Sequence, residues 1–324
     1  MILFRLPPEA VATGGPGHDY ATRMAAALTR AGHSAAISDR PATTGDTVVI
    51  DGLLLPTLPL GTVAGAIGLL HHAASRPVGQ GKTADGRSGI EDALRERLPV
   101  LRSLICTSPG TASRILTAFG LHATIVAPGA DAVRDHLPVT LTRSLTILST
   151  GVLTPRKGHD ILLQALALLP DLDWTLTIAG HGGRDPAWQA ALTTAASAPG
   201  LHGRVMIATD PDAATLDSLY ETAALFVLLT RWEGYPAAIA QALGRGIPVV
   251  TTAEGMAGLP DDAQAGALLV DTADLPTVSK VLRRTLCDPA LRHSLAIAAA
   301  RAGGHLPDWA TQARHFAAAI GLGV

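Results

Sequence analysis

Short apolar runs alternate with longer stretches of helical period along the whole chain. Residues 2–4, 48–50, 67–70, 104–107 and 124–127 are runs without polar alternation, the pattern of parallel strands buried on both faces. Amphipathic stretches at 20–31, 90–97 and 111–119 predict helices between them. Pro128-Gly129 closes this rhythm, and the polar, aperiodic residues 131–143 read as a linker. The alternation then restarts: runs at 145–149, 174–179, 205–207, 225–229, 248–251 and 267–270 predict strands, and 160–169 and 212–222 predict helices. Beyond Asp271 every segment is helical, ending in 309–320, where Trp309, Ala313, Phe316 and Ile320 form one apolar stripe. The βαβ signature therefore occurs twice, predicting an α/β chain of two Rossmann-like, doubly wound domains at 1–140 and 141–305. A last segment, 306–324, is expected to pack its helix back on the first domain.

The length of 324 residues suits two domains, and 48% hydrophobic against 16% charged residues gives apolar material for two cores. A net charge of −2 without a Lys/Arg run lacks the clustered positive charge that grips a phosphate backbone, so no nucleic-acid partner is expected. Cys106 and Cys287 are isolated, which suits a reducing, cytoplasmic setting. No run approaches the ~20 apolar residues of a membrane span, and the chain is expected to be soluble. Nothing in the pattern fixes an oligomeric state.

Two constellations carry candidate chemistry. The segment Ile147-Leu-Ser-Thr-Gly-Val-Leu-Thr-Pro-Arg-Lys-Gly-His-Asp runs from a strand through a loop holding Gly151 into a helix. Arg156 and Lys157 stand beside that helix start, where unpaired N–H groups and a partial positive charge favour a diphosphate. A basic surface turn is the plainer reading of the pair taken alone. In the second segment, Arg231-Trp-Glu-Gly-Tyr-Pro-Ala-Ala-Ile-Ala-Gln, a strand ends at Thr230 and a helix begins near Pro236, a position that tolerates proline. Glu233 in the loop is placed to accept hydrogen bonds from sugar hydroxyls, with Gly234, Tyr235 and Ala237 beside it and Gln241 about one turn further along. The plainer reading here is a capping glutamate in a strand-to-helix loop. His71 and His72 end the predicted strand 67–70; successive strand residues face opposite sides, so at most one of them points at a ligand.

These segments resemble the family 4 retaining glycosyltransferases, whose signature is Glu, seven residues, then Glu, in a segment ending Gly-(Val/Ile)-Pro-Val-Val. Glu233 fits the first acid and Gly246-Ile-Pro-Val-Val the end, while Gln241 stands where the family has its second acid. Ile178-Ala-Gly-His-Gly, containing Gly180, resembles the Gly-rich turn after the second strand, and residues 258–289 the closing segment. In the first domain, Thr13-Gly14-Gly15 resembles the family's Gly loop facing the donor phosphates, and Ser108 and residues 128–131 its later landmarks. The resemblance covers most of 145–305 and the first domain more loosely. It implies the GT-B architecture, two Rossmann-like domains facing a central cleft, and no cofactor or metal beyond the donor, a nucleoside-diphosphate sugar with a UDP-sugar favoured. By that resemblance Arg156 and Lys157 grip the diphosphate, Glu233 meets the donor sugar, Gln241 meets the ribose, and one of His71 and His72 lies near the anomeric centre. An amide at 241 offers one neutral acceptor where the family's carboxylate makes charge-assisted bonds to both ribose hydroxyls.

Other signals carry less. Gly79-Gln-Gly-Lys-Thr, inside the Gly-rich segment 76–89, has no strand leading into it and lacks the first glycine of a P-loop. Asp171 and Asp173 have the spacing of a metal-binding pair but fall in a helix-to-strand turn, where Asp is favoured locally. Gly15-Pro-Gly17 lacks the third glycine of a dinucleotide fingerprint, and no acid convincingly ends the second strand, which weakens a dehydrogenase reading. The expected activity is retaining, metal-independent transfer of a sugar to a small-molecule or lipid-linked acceptor. A sugar-nucleotide epimerase of the same architecture and a non-catalytic nucleotide-sugar-binding relative are the alternatives.

Overall fold

A parallel strand has both faces covered by its crossover helices, which is why its sequence is apolar without alternation. The computed structural model of the chain pairs those runs accordingly, and it describes residues 1–13, 16–71, 89–131, 145–182 and 185–322. The chain divides into two units, one formed by Met1–Gly129 and Pro307–Val324, the other by Ala130–Leu306. Residues 132–144, most of the expected linker, and residues 76–88 of the Gly-rich segment lie outside the described residues.

In the first unit the strands are β1 (Ile2–Arg5), β2 (Ala35–Ile37), β3 (Thr47–Asp51), β4 (Ile67–Leu70), β5 (Ser103–Cys106) and β6 (Thr124–Ile125). They form one sheet in the order β2-β1-β3-β4-β5-β6, with every pairing parallel. The sequence pattern does not predict β2, a three-residue edge strand, Ala35-Ala-Ile37, of intermediate exposure. One face of the sheet carries helix Pro16–Arg30, whose Tyr20, Met24 and Leu28 are buried in one core with Phe4, Ile67 and Ile105. The last helix, Trp309–Ala319, adds Ala313 and Phe316 to that core, with the Phe316 ring centroid 5.5 Å from that of Phe4. Gly129 leaves room for it, since a Cβ there would lie 2.5 Å from the Trp309 backbone.

The second unit contains β7 (Leu145–Thr150), β8 (Trp174–Gly180), β9 (Val205–Thr209), β10 (Leu225–Leu228), β11 (Val249–Thr251) and β12 (Ala267–Leu269). Their order is β12-β11-β10-β7-β8-β9, again wholly parallel. Numbered within the unit, this is the 3-2-1-4-5-6 order of the dinucleotide-binding fold, and its direction reverses between β7 and β10. In the first unit the reversal falls between β1 and β3, the flavodoxin-like variant. In open sheets of this kind, ligands bind beyond the carboxyl ends of the strands at the reversal. Each unit therefore has one marked place for a ligand.

Candidate active site

In the second unit the reversal brings together the loops that follow β7 and β10. β7 is buried along nearly its whole length and delivers the chain to Gly151, which adopts φ +152°. A side chain is excluded there twice over, because a Cβ would also lie 2.8 Å from Cε of Lys157, whose methylene stem runs along the glycine. Gly180, at the end of β8, is required by close approach: its Cβ would stand 1.7 Å from the Gly151 carbonyl oxygen. A short 3₁₀ turn, Pro155–Lys157, follows, and Gly158 at φ +68° turns the chain into helix His159–Ala167.

The loop after β10 is fastened to this turn by hydrogen bonds that need no ligand. The Arg231 N–H donates to the Arg156 carbonyl at 2.8 Å, and the Thr230 hydroxyl donates to the Arg156 and Trp232 carbonyls at 3.2 and 3.0 Å. Thr252, the residue after β11, donates from its hydroxyl to the Thr230 carbonyl at 2.8 Å. The Arg231 guanidinium is turned back onto Asp160 and the Pro155 carbonyl, so it serves the loop rather than the space in front of it. Helix Ala237–Gly244 begins one residue later than the sequence suggests, with Pro236 as its N-cap.

Knitted this way, the loops deliver Arg156, Lys157 and Glu233 to one point. Lys157 Nζ donates to Glu233 Oε1 at 2.5 Å, and Arg156 Nη1 donates to Glu233 Oε2 at 2.8 Å and to the Trp232 carbonyl at 2.9 Å. The Arg156 guanidinium lies 4.7 Å from the centroid of the Trp232 ring, a cation–π contact. Lys157 and Glu233 are buried, at 7% and 6% exposure, so each needs the other's charge. Burial drives the Glu233 carboxyl upward, but the Lys157 and Arg156 cations outweigh it and hold the group below its ordinary range. Burial, with Arg156 beside it, pulls the Lys157 ammonium below its ordinary value against the attraction of Glu233. Two cations face one anion, which leaves the cluster one positive charge in excess.

Sequence reasoning passed over His159, the first residue of the helix behind the cluster. It is fully buried, its Nδ1 lies 3.2 Å from Ser149 Oγ, and its Nε2 has no hydrogen-bond partner among the described residues. Burial and the neighbouring Lys157 charge push its pKa down to about 3, so the ring is neutral and adds no further charge. Nothing in the local sequence marks Trp232 either, since its role comes from the Arg156 contact. Tyr235 is pushed up to about 12 by burial, Gly234 is half-buried in the same loop, and Ala237 is the first residue of the following helix. Gln241 lies in that helix, half-buried, its carbonyl accepting from Arg245 at 3.4 Å. Asp171 makes a bidentate pair with Arg283 at 2.6 and 2.7 Å, which accounts for it without a metal.

In the first unit His71 stands just beyond β4. Its side chain lies beside Asp51, the last residue of β3, and edge-on to Tyr20, with ring centroids 5.1 Å apart. His72, Gly14 and Gly15 lie outside the described residues.

Residues 144–288 match the family model described as Glycosyl transferases group 1. That match lies almost wholly in the second unit, and the chain as a whole has the GT-B class of fold, two Rossmann-like units. Its fold is similar to that of a sucrose-phosphate synthase from Thermosynechococcus elongatus, with a TM-score of 0.79 at 17% identity over 98% of this chain and 97% of that one. It is also similar to the Anabaena protein HepE, solved in complex with UDP and glucose, with a TM-score of 0.73 at 14% identity over 98% of each chain. In sequence it is similar to O-antigen chain mannosyltransferase B of Escherichia coli, 27% identical over 221 residues, or 63% of this chain and 56% of that protein. The chain spans about half the length of the curated relatives it matches.

Proposed function

We propose that this protein transfers a sugar from a nucleoside diphosphate to a hydroxyl-bearing acceptor, with retention of configuration and without a metal. The observation that carries the reading is the meeting of Arg156, Lys157 and Glu233 at the reversal point of the second sheet. A surplus positive charge held by fixed donors, Lys157 buried and Arg156 half-buried, is what a departing diphosphate requires, because fixed dipoles and cations stabilise developing charge without reorganisation. On this reading Arg156 and Lys157 take the diphosphate, helped by the helix that begins at Ala237, while Glu233 turns to the hydroxyls of the donor sugar. The bond from the anomeric carbon to the diphosphate oxygen breaks, and its electron pair leaves with the nucleotide. The acceptor oxygen bonds to that carbon from the same face, and its proton leaves with the diphosphate. Gln241 meets the ribose, Gly151 and Gly180 let the backbone approach the donor, and His71 lies toward the sugar.

The donor we favour is a UDP-sugar, supported by the structural likeness to a protein that holds UDP and glucose. The acceptor class is a small molecule or a lipid-linked sugar. No helix among the described residues is long and apolar enough to cross a membrane, and the free cysteines, Cys106 buried and Cys287 exposed, suit a cytoplasmic setting. A thermal-shift panel of UDP-, GDP- and ADP-sugars, followed by Lys157→Ala and Arg156→Ala, tests the reading. Loss of one charge-assisted contact costs about 1.5–3 kcal/mol, so each variant is expected to bind the nucleoside diphosphate about 10- to 150-fold more weakly while remaining folded. Unchanged affinity in both variants refutes the assignment.

A further inference from the structure

We propose that Asp51 is the positioning residue of His71, and that the pair forms the ligand-facing element of the first unit, presenting one imidazole nitrogen to a hydroxyl of the sugar or its acceptor. The proposal rests on the transferase reading for the identity of that hydroxyl, and on the first unit alone for the pairing.

The topology places the pair. The sheet reverses direction between β1 and β3, and Asp51 is the last residue of β3. In the β3–β4 register Asp51 lies opposite Leu69. Side chains on one face of a strand recur every second residue, so His71, two beyond Leu69, emerges on the same face as Asp51. Helix Pro16–Arg30 contributes Gly17 to this point. A Cβ at Gly17 would lie 2.9 Å from Asp51 Oδ2 and 3.5 Å from the His71 ring, so glycine is what lets the three elements close together.

The local chemistry makes Asp51 a holder rather than a direct ligand contact. It is buried, at 3% exposure, and one oxygen accepts from the Leu53 N–H at 2.8 Å. The other oxygen stands 3.4 Å from His71 Nε2, an ion-pair distance rather than an aligned hydrogen bond. That nitrogen is buried and has no hydrogen-bond partner among the described residues. Such a group calls for an explanation, and a small rotation of the ring completes the bond to Asp51. Other contacts restrain the residue. Tyr20 lies edge-on to the ring, its own hydroxyl donating to the Val126 carbonyl at 3.1 Å, and Thr107 donates to the His71 carbonyl at 3.2 Å. With Nε2–H directed at a carboxylate, Nδ1 is the nitrogen that accepts, because the bond made by one ring nitrogen sets the role of the other.

The test has a spectroscopic and a kinetic arm. Histidine ring ¹⁵N correlation spectra of wild type, with the His71 signals identified by their loss in His71→Gln, are expected to show the Nε2–H tautomer. Asp51→Asn is expected to redistribute it. Gly17→Ala is expected to do the same by displacing the carboxylate without removing its charge, and it serves if the Asn variant does not fold. Unmoved His71 signals in both variants overturn the pairing, whatever the enzyme's activity. In transfer assays Asp51→Asn is expected to lower kcat roughly 10- to 100-fold, the range seen when carboxylates that orient metal-binding histidines are removed, with the donor KM within about twofold. Asp51→Asn combined with His71→Gln is expected to be no slower than His71→Gln alone, since residues acting as a unit are not additive. Multiplicative losses overturn the positioning role. If wild type transfers with no donor and acceptor, the transferase reading falls while the spectra still decide the pairing.

Discussion

Replacing Glu233 by Gln removes the one carboxylate that the structure sets between Arg156 and Lys157. At separations of 2.5 and 2.8 Å, each ion pair is worth about 6 kcal/mol of Coulomb energy at an effective dielectric constant of about 20. Desolvation offsets much of this, and breaking a buried pair by removing one partner typically costs about 3–5 kcal/mol. For a unit of this size that corresponds to a fall in Tm of about 6–20 °C. The second consequence has the opposite sign. In wild type an incoming diphosphate must draw both cations away from Glu233, whereas in the variant they are uncompensated and waiting. The affinity for a sugar-free nucleoside diphosphate is therefore expected to rise about tenfold or more, a difference of about 1.4 kcal/mol. The stabilisation conferred by saturating nucleotide should rise by the same amount. Transfer should fall, because the carboxylate proposed to meet the sugar is gone. Differential scanning fluorimetry with and without nucleotide, paired with calorimetric titration, reads all three effects. A variant that melts within 2 °C of wild type, or binds the nucleotide no more tightly, would refute the argument that Glu233 is the counter-ion of both cations.

Two further expectations follow from the same neighbourhood. Gln241→Glu is expected to tighten nucleotide binding if position 241 meets the ribose, since an anionic acceptor makes stronger bonds to hydroxyls; calorimetry that finds binding and turnover both untouched would make Gln241 an ordinary helix residue. His159 titrates near 6.5 when unfolded but near 3 when folded, so below pH 6.5 the unfolded chain binds a proton that the folded chain refuses. Stability should fall with pH between about 6.5 and 3 by up to about 1.4 kcal/mol per pH unit from this group, and His159→Leu should lose that slope in urea titrations. Identical slopes in the two proteins would show that His159 is not the group responsible.

How much could be read from the sequence depended on where each residue's role is decided. Strands such as β7 and β8 declare themselves because burial on both faces leaves no room for polar alternation. The runs at 145–149 and 174–179 fall within residues of the observed Leu145–Thr150 and Trp174–Gly180. β2 is hard to see because Ala-Ala-Ile is short and half-exposed, and its place at the sheet edge is set by pairing with β1 and by Ala35 and Ile37 packing on the core, both contacts distant in sequence. Arg156, Lys157 and Glu233 sit in loops of recognisable composition, but their mutual contact depends on β10 lying beside β7, which no local pattern states. Asp51 shows the limit most clearly. An aspartate closing an apolar run and accepting from the N–H two residues on is ordinary turn chemistry. Only the strand order, with β3 beside β1, gives it a ligand-facing position. Gly17 is the same case, since its need to be small comes from Asp51 and His71, distant in sequence.

The composition of the first unit from two separate pieces of chain bears on biosynthesis. Phe316 and Ala313 cover a face built from Phe4, Tyr20, Met24 and Ile67, yet the ribosome makes them after the whole of the second unit. At roughly 5–20 residues per second, that face waits on the order of ten seconds or more for its cover. The contiguous second unit can close in the meantime. The nascent chain thus finishes its units in the reverse of the order in which it began them.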